Sequence, residues 1–116
     1  MAFQNGEPIK LFRAVSRAEL EDVHNIGRFR PKPGGGSLES KQFATTAEDA
    51  ARFGRDHFLL DGETFYLLEI EVPKSVADQF EHLQLDFKPA VNVPEELFPL
   101  LNRNATIREV PRIPLE

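Results

Sequence analysis

The chain has 116 residues, of which 41% are hydrophobic and 28% are charged, which predicts one folded domain with a modest core. It contains no cysteine, so disulfides, cysteine-ligated zinc and a cysteine nucleophile are excluded. The formal net charge of −5 disfavours tight nucleic-acid binding, which needs a basic excess, without excluding a nuclease.

The N-terminal stretch "MAFQNGEPIK" lacks the apolar segment of a signal peptide. Residues 1–8 are expected to form a flexible segment of the single domain 1–116. No apolar run approaches the roughly 20 residues of a membrane-spanning helix, so a membrane is not predicted as a partner.

The first predicted strand is "IKLFRAVS". One of its faces carries Arg13 together with three apolar residues, Ile9, Leu11 and Val15. A helix is predicted to follow, because Ser16 and Glu19 have the spacing of a capping box. Gly27 is a suitable residue for the end of that helix.

Residues 28–40, "RFRPKPGGGSLES", predict a long surface loop, which is either functional or a tolerated insertion. A short strand, "KQFATT", comes next. Thr46 and Asp49 then predict the start of a second short helix, and Gly54 its end.

The segment "TFYLLEIEVP" predicts a strand that ends at Pro73, with Glu69 and Glu71 on a solvated face. One helical turn or a short helix is predicted at "KSVADQFEHL", and strand-like structure at "QLDFKPAV". The segment "PEELFPLLN" predicts a helix whose length Pro99 limits, and "ATIREVPRIP" predicts the last strand. The mixture indicates an α+β fold.

Two opposite charges fall on apolar strand faces, Arg13 in the first strand and Glu109 in the last. They are either edge residues or a structural ion pair, or they line a cleft for a polar ligand. An arginine there would hold phosphates, and a glutamate would bind a sugar hydroxyl. The three histidines, His24, His57 and His82, show no metal-binding spacing, so no metal is predicted.

Four segments in this order, "LFRAVS", "SLESKQFATTAEDAARFG", "EIEVP" and "IREVPRIP", resemble a small ADP-ribosyltransferase domain. The likeness is to the compact domains at the C-termini of bacterial polymorphic and contact-dependent toxins, and it runs from Leu11 to Pro114. It implies a split, mainly antiparallel β-sandwich of short strands with two or three short helices. The cleft for nicotinamide adenine dinucleotide (NAD) would lie between two small sheets.

The resemblance implies an NAD-dependent transferase that modifies a macromolecule, or that hydrolyses NAD, as a toxin or effector in interbacterial competition. NAD would be its substrate, and no metal would be needed. The acceptor is left unnamed, a toxin would imply an immunity protein, and the site of action would be the cytoplasm of the producing cell or of a target cell.

The resemblance also implies site residues. Arg13 and Glu109 would be catalytic, and the dinucleotide would be bound by Arg13, Gln42, Phe43, Ala44 and Thr45. This chain has Gln42 where some members have tyrosine, and Ala44-Thr45-Thr46 where others have Ser-Thr-Ser. Ile107 replaces the second acidic residue of many arginine-modifying members, which disfavours arginine as the acceptor.

Two alternatives stay open. A small ribonuclease toxin would need His24 or His57 beside a glutamate or an arginine. A non-catalytic interaction module would use Arg13 and Glu109 only as a structural pair.

Overall fold

The computed structural model describes residues 7–31, 40–85 and 87–111, and it confirms the α+β class. In these residues the strands are β1 (Pro8–Val15), β2 (Ser40–Ala44), β3 (Tyr66–Pro73), β4 (Glu81–Leu85), β5 (Lys88–Pro94) and β6 (Thr106–Glu109). The helices are α1 (Arg17–Ile26), α2 (Ala47–His57), α3 (Lys74–Ala77) and α4 (Phe98–Asn104), with 3₁₀ turns at Leu59–Asp61 and Glu95–Leu97.

Two predicted segments, the flexible segment 1–8 and the surface loop 28–40, lie mainly outside the described residues. The glycines at 34–36 lie there, as do residues 1–6 of the predicted flexible segment. Pro8, the last residue of that segment, opens β1 and pairs with Pro73.

The strands form one antiparallel sheet in the order β4-β5-β2-β1-β3-β6. β1 pairs with β3 along its whole length, and β2 does the same with β5. The two central strands, β1 and β2, pair only at Phe12 and Ala44. The backbones of the two halves of the sheet, with three strands each, are therefore paired at only one position.

Each face of the sheet carries its own hydrophobic cluster. The larger one packs α1, α3 and α4 on the strand face that holds Leu11, Leu68 and Val91. The smaller one packs α2 against β1 and β3, through residues that include Ala14, Phe65 and Leu67. Arg13 lies on the face of the larger cluster, as the alternation in β1 predicts.

The predicted helix starts are confirmed. The Ser16 side chain accepts a hydrogen bond from the Glu19 amide at 3.2 Å, and Thr46 accepts one from the Asp49 amide at 3.1 Å. Gly27 follows α1 in the left-handed conformation, with φ of 82°, and its amide donates to Val23.

Two helix predictions need correction, and so does the boundary of a third. Gly54 does not end α2, which continues to His57; a Cβ at Gly54 would overlap the Phe65 ring, so close packing explains this glycine. Pro99 stands in the first turn of α4, where a missing amide costs nothing, and so it does not limit the helix. Helix α3 has four residues, which agrees with the single turn or short helix predicted there, but the end of the predicted segment belongs to β4.

The solvated face predicted for β3 is wrong at Glu69, which is only 7% exposed. Arg108 of the neighbouring strand β6 donates to both oxygens of the Glu69 carboxylate, at 2.9 and 3.0 Å, and Lys10 lies 3.9 Å away. A bidentate arginine pair can bury a carboxylate on a strand that the alternation alone assigns to water.

Phe87 occupies an unfavourable position in the two-residue connection between β4 and β5. Its φ is 67° and its side chain is 93% exposed. We expect Phe87→Gly to raise the free energy of unfolding by about 1 kcal/mol, because a left-handed backbone strains a residue with a Cβ and Asp-Gly suits a two-residue hairpin. Urea unfolding measures this. Phe87→Ala, which keeps the strain, should gain nothing; an equal gain in both variants would contradict the explanation.

Candidate functional site

A cleft opens where β1 and β2 part. Continued pairing beyond Phe12 and Ala44 would set Ala14 opposite Gln42, but no such pair exists. Small side chains on three elements leave space there, Ala44 on β2, Ala50 on α2 and Ala90 on β5. The cleft owes its depth to these alanines, and Phe12 and Phe53 form apolar parts of its lining.

Arg13 is held firmly at the mouth of this split. Its Nε and Nη2 donate to the two oxygens of Glu19, at 2.8 and 3.0 Å, and its Nη1 donates to the Gln42 carbonyl at 3.1 Å. The guanidinium also lies 5.9 Å from the centre of the Phe43 ring. Arg13 thus links β1 to β2 by a side chain where the backbone pairing is missing.

The partner of Arg13 is therefore Glu19 of α1, and not Glu109. Glu19 also lies 3.6 Å from the Lys41 ammonium, so two cations surround this one carboxylate. Lys41 is only 5% exposed, and its ammonium lies 5.7 Å from the centre of the Phe98 ring. The Glu19 side chain, predicted as half of a capping box, serves mainly to hold these two cations beside the cleft.

Glu109 lies away from the cleft. Arg13, Leu68 and Glu109 face one another across β1, β3 and β6, so about 10 Å separates the first and last backbones. Helix α1 packs on Leu68, and the Glu109 carboxylate is 3.8 Å from His24 at its far end. The structure does not bring Arg13 and Glu109 together.

The other residues that the resemblance implies divide into two groups. Gln42, Phe43 and Ala44 line the cleft together with Arg13. Thr45 is the next residue in the chain but is not part of the lining, and Thr46 caps α2.

Helix α2 and the β4–β5 hairpin add charges that the sequence patterns did not indicate. Asp49 accepts a hydrogen bond from Arg52 at 3.0 Å, with 15% of its side chain exposed. Asp56 of α2 and Lys88 of β5 also line the cleft, and neither has an ion pair or a side-chain hydrogen bond in the described part of the chain. An acidic residue in the last turn of a helix opposes the helix dipole, and that feature of the sequence points to Asp56.

The cleft has an internal volume of about 130 Å³ and is partly open to solvent. A cavity of roughly 150 Å³ can hold a benzene ring, so the cleft has room for one aromatic ring. The remainder of a larger ligand would lie along the open, charged rim.

The segment after α1 supports the cleft from behind. The Asn102 side chain accepts from the Phe29 amide at 2.8 Å and donates to its carbonyl at 2.7 Å. The buried Phe29 ring meets the Phe43 ring edge-on, with their centres 5.6 Å apart. Nearby, Arg30 donates to both oxygens of Asp22, which lowers the pKa of Asp22 and raises that of Arg30.

Within residues 7–31, 40–85 and 87–111, no three side chains of histidine, aspartate or glutamate lie close enough together to hold a metal ion. In the same residues, no helix has the length and apolar character needed to cross a membrane. Comparisons with protein-family models, with curated proteins and with solved structures give no match for this chain.

Proposed function

We propose that this chain binds NAD in the cleft between β1 and β2 and transfers its ADP-ribose to a macromolecular acceptor or to water. The observation that carries the proposal is the single pairing of β1 and β2 at Phe12 and Ala44, with a cleft beside it. The toxin role, the immunity protein and a cytoplasmic site of action belong to the same proposal.

The finer fold is part of the proposal. An ADP-ribosyltransferase-like domain would hold its dinucleotide between two small sheets, and here β4-β5-β2 and β1-β3-β6 meet at one residue pair. Arg13, Gln42, Phe43 and Ala44, which the resemblance names as binding residues, line the cleft at that division. The agreement between the sequence likeness and this geometry supports a dinucleotide as the ligand.

The reaction breaks the bond between the ribose C1′ and the nicotinamide nitrogen. The electron pair of that bond stays with the ring, which becomes neutral, and the ribose carries positive charge in the transition state. A nucleophile from the acceptor, or water, then bonds to C1′ and releases a proton. A cleft that fits one ring favours this step where the bound ring displaces water, because charge interactions are stronger in a site with little water.

Arg13 is suited to the diphosphate or ribose end of the ligand. Three of its five N–H groups donate to Glu19 and Gln42, which leaves two N–H groups for a ligand. Its side chain is 19% exposed, which permits contact with a ligand. Because the bonds to Glu19 fix the guanidinium beforehand, little ordering is needed when an anion binds.

The test is release of nicotinamide from NAD by the purified protein, with and without a cell lysate as a source of acceptor. We expect release by the wild type and a loss of about tenfold or more in Arg13→Lys, because lysine cannot make the bidentate contacts. Arg17→Lys is the matched control, since Arg17 is an exposed arginine of α1 outside the cleft. No binding and no release by the wild type in either condition would overturn the proposal.

A ribonuclease is the second candidate, and one observation favours it. The His24 ring and the Glu109 carboxylate are 3.8 Å apart, which is the pairing that this alternative needs. Cleavage of RNA at low salt that is lost in both His24→Asn and Glu109→Gln would establish it. The net charge of −5 weighs against it. If the protein turns over neither NAD nor RNA, the remaining alternative is a non-catalytic interaction module.

A further inference from the structure

Asp56 is an acidic residue at a helix end that favours basic residues, such as its neighbours Arg55 and His57. It lies in the last turn of α2, where a negative charge meets the negative end of the helix dipole. No ion pair or side-chain hydrogen bond of Asp56 exists in the part of the chain that the structure describes. A residue that breaks a local rule without a visible gain is a candidate for function.

Lys88 is a basic residue in the lining of the same cleft. It opens β5, and it too has no ion pair among the described residues. The cleft is therefore bordered by an unpaired carboxylate on α2 and an unpaired ammonium on the β4–β5 hairpin, with an apolar floor between. Such a site complements a ligand that carries both signs of charge and one flat ring.

NAD has this distribution, because its nicotinamide ring is cationic and its diphosphate is anionic. We propose that Asp56 faces the nicotinamide ribose and Lys88 binds the diphosphate. This assignment rests on the proposed function and gives the dinucleotide a direction in the cleft, with the nicotinamide end toward the end of α2.

Asp56 is better placed for this role than three other carboxylates. The Glu109 carboxylate lies beside His24 of α1, and Glu109 does not line the cleft. Glu19 is occupied by two cations. Asp49 lines the cleft, but its neighbour on α2, an arginine, already neutralises it. Asp56 alone among these four lines the cleft and keeps its carboxylate free for a ligand.

The chemistry needs such a charge. As the C1′–nitrogen bond breaks and its electrons move onto the ring, positive charge moves to the ribose. A carboxylate at the ribose stabilises this transition state and also binds a ribose hydroxyl. The acceptor or water supplies the electron pair of the new bond to C1′ and loses its proton.

The variant Asp56→Asn tests whether this carboxylate stabilises the transition state or takes no part in the reaction. We expect it to slow nicotinamide release about 100-fold, the cost of removing one charge-stabilising group. Its dissociation constant for ADP-ribose, which lacks the nicotinamide, should change by less than about threefold, because the charge is needed mainly in the transition state. Lys88→Gln should instead weaken binding of both NAD and ADP-ribose about tenfold, the effect of one charge-assisted hydrogen bond.

Asp61→Asn serves as the matched control, because Asp61 is an exposed aspartate outside the cleft. The thermal unfolding of each variant shows that it is folded, and Asp56→Asn should be slightly more stable because it removes the unfavourable charge from the helix end. If the wild type releases nicotinamide and Asp56→Asn does so at the same rate, the assignment of Asp56 is wrong and the proposed function stands. Loss of release in Glu109→Gln but not in Asp56→Asn would overturn it in the same way. Absence of NAD binding by the wild type would remove both proposals.

Discussion

Gly54→Ala is expected to lower the free energy of unfolding by about 2 kcal/mol, the usual cost of adding a methyl group to a full core. The result would be unusual for a helix, because replacing glycine by alanine in a helix interior normally stabilises by about 1 kcal/mol. Here the new Cβ would overlap three carbons of the Phe65 ring, well inside contact distance. Either α2 must move off the sheet or Phe65 must leave the smaller cluster.

Urea unfolding of Gly54→Ala, alone and together with Phe65→Ala, tests this explanation. Phe65 is 4% exposed, so its own replacement costs stability. In the background of Phe65→Ala, however, the clash is gone, and Gly54→Ala should become neutral or stabilising by up to about 1 kcal/mol. An unchanged penalty in that background would show that the ring is not the cause.

Gly62→Ala provides a control of a different kind. Gly62 has φ of 75°, and no atom lies within 4 Å of the position that a Cβ would take there, so only backbone strain is at issue. A cost of about 1 kcal/mol is expected for this variant, and Phe65→Ala should leave it unchanged. Comparison of the two variants therefore separates the cost of backbone strain at Gly62 from the cost of overpacking at Gly54.

Local features explain which parts of the fold the sequence predicted. A capping pair needs only two residues three positions apart, so Ser16 and Thr46 predicted the starts of α1 and α2 correctly. The prediction that Gly54 ends α2 was wrong because this glycine is required by close packing against Phe65, on the chain segment that enters β3. Glu69 misled because its partner, Arg108, comes from a strand 39 residues later.

The site shows the same division between local and tertiary information. Alternation along β1 predicted that Arg13 shares a face with apolar residues, and it does. The pattern could not name its partner, because only the packing of α1 on the sheet brings Glu19 within reach. Asp56 and Lys88 are 32 positions apart in the chain. They line the same cleft only because β5 lies beside β2 and α2 lies beside β1.

A double-mutant cycle on Arg13 and Glu19 is expected to give a coupling free energy of about 2 kcal/mol, within the range for residues of one ion-pair network. The pair is bidentate and about four-fifths buried on each side, so it escapes much of the solvent screening that weakens surface pairs. Removing Arg13 leaves Glu19 with Lys41 alone and leaves the Gln42 carbonyl without this donor.

The same cycle on Arg13 and Glu109 should give a coupling close to zero, because their backbones are about 10 Å apart with Leu68 between them. Urea unfolding of the wild type, the single variants Arg13→Ala, Glu19→Ala and Glu109→Ala, and the two double variants supplies both values. A large coupling to Glu109 would mean that the two charges meet in solution, which would restore Glu109 as a partner of Arg13 at the cleft. A large coupling to Glu19 alone would show that the ion pair stabilises the junction of β1, β2 and α1, beside the proposed binding cleft.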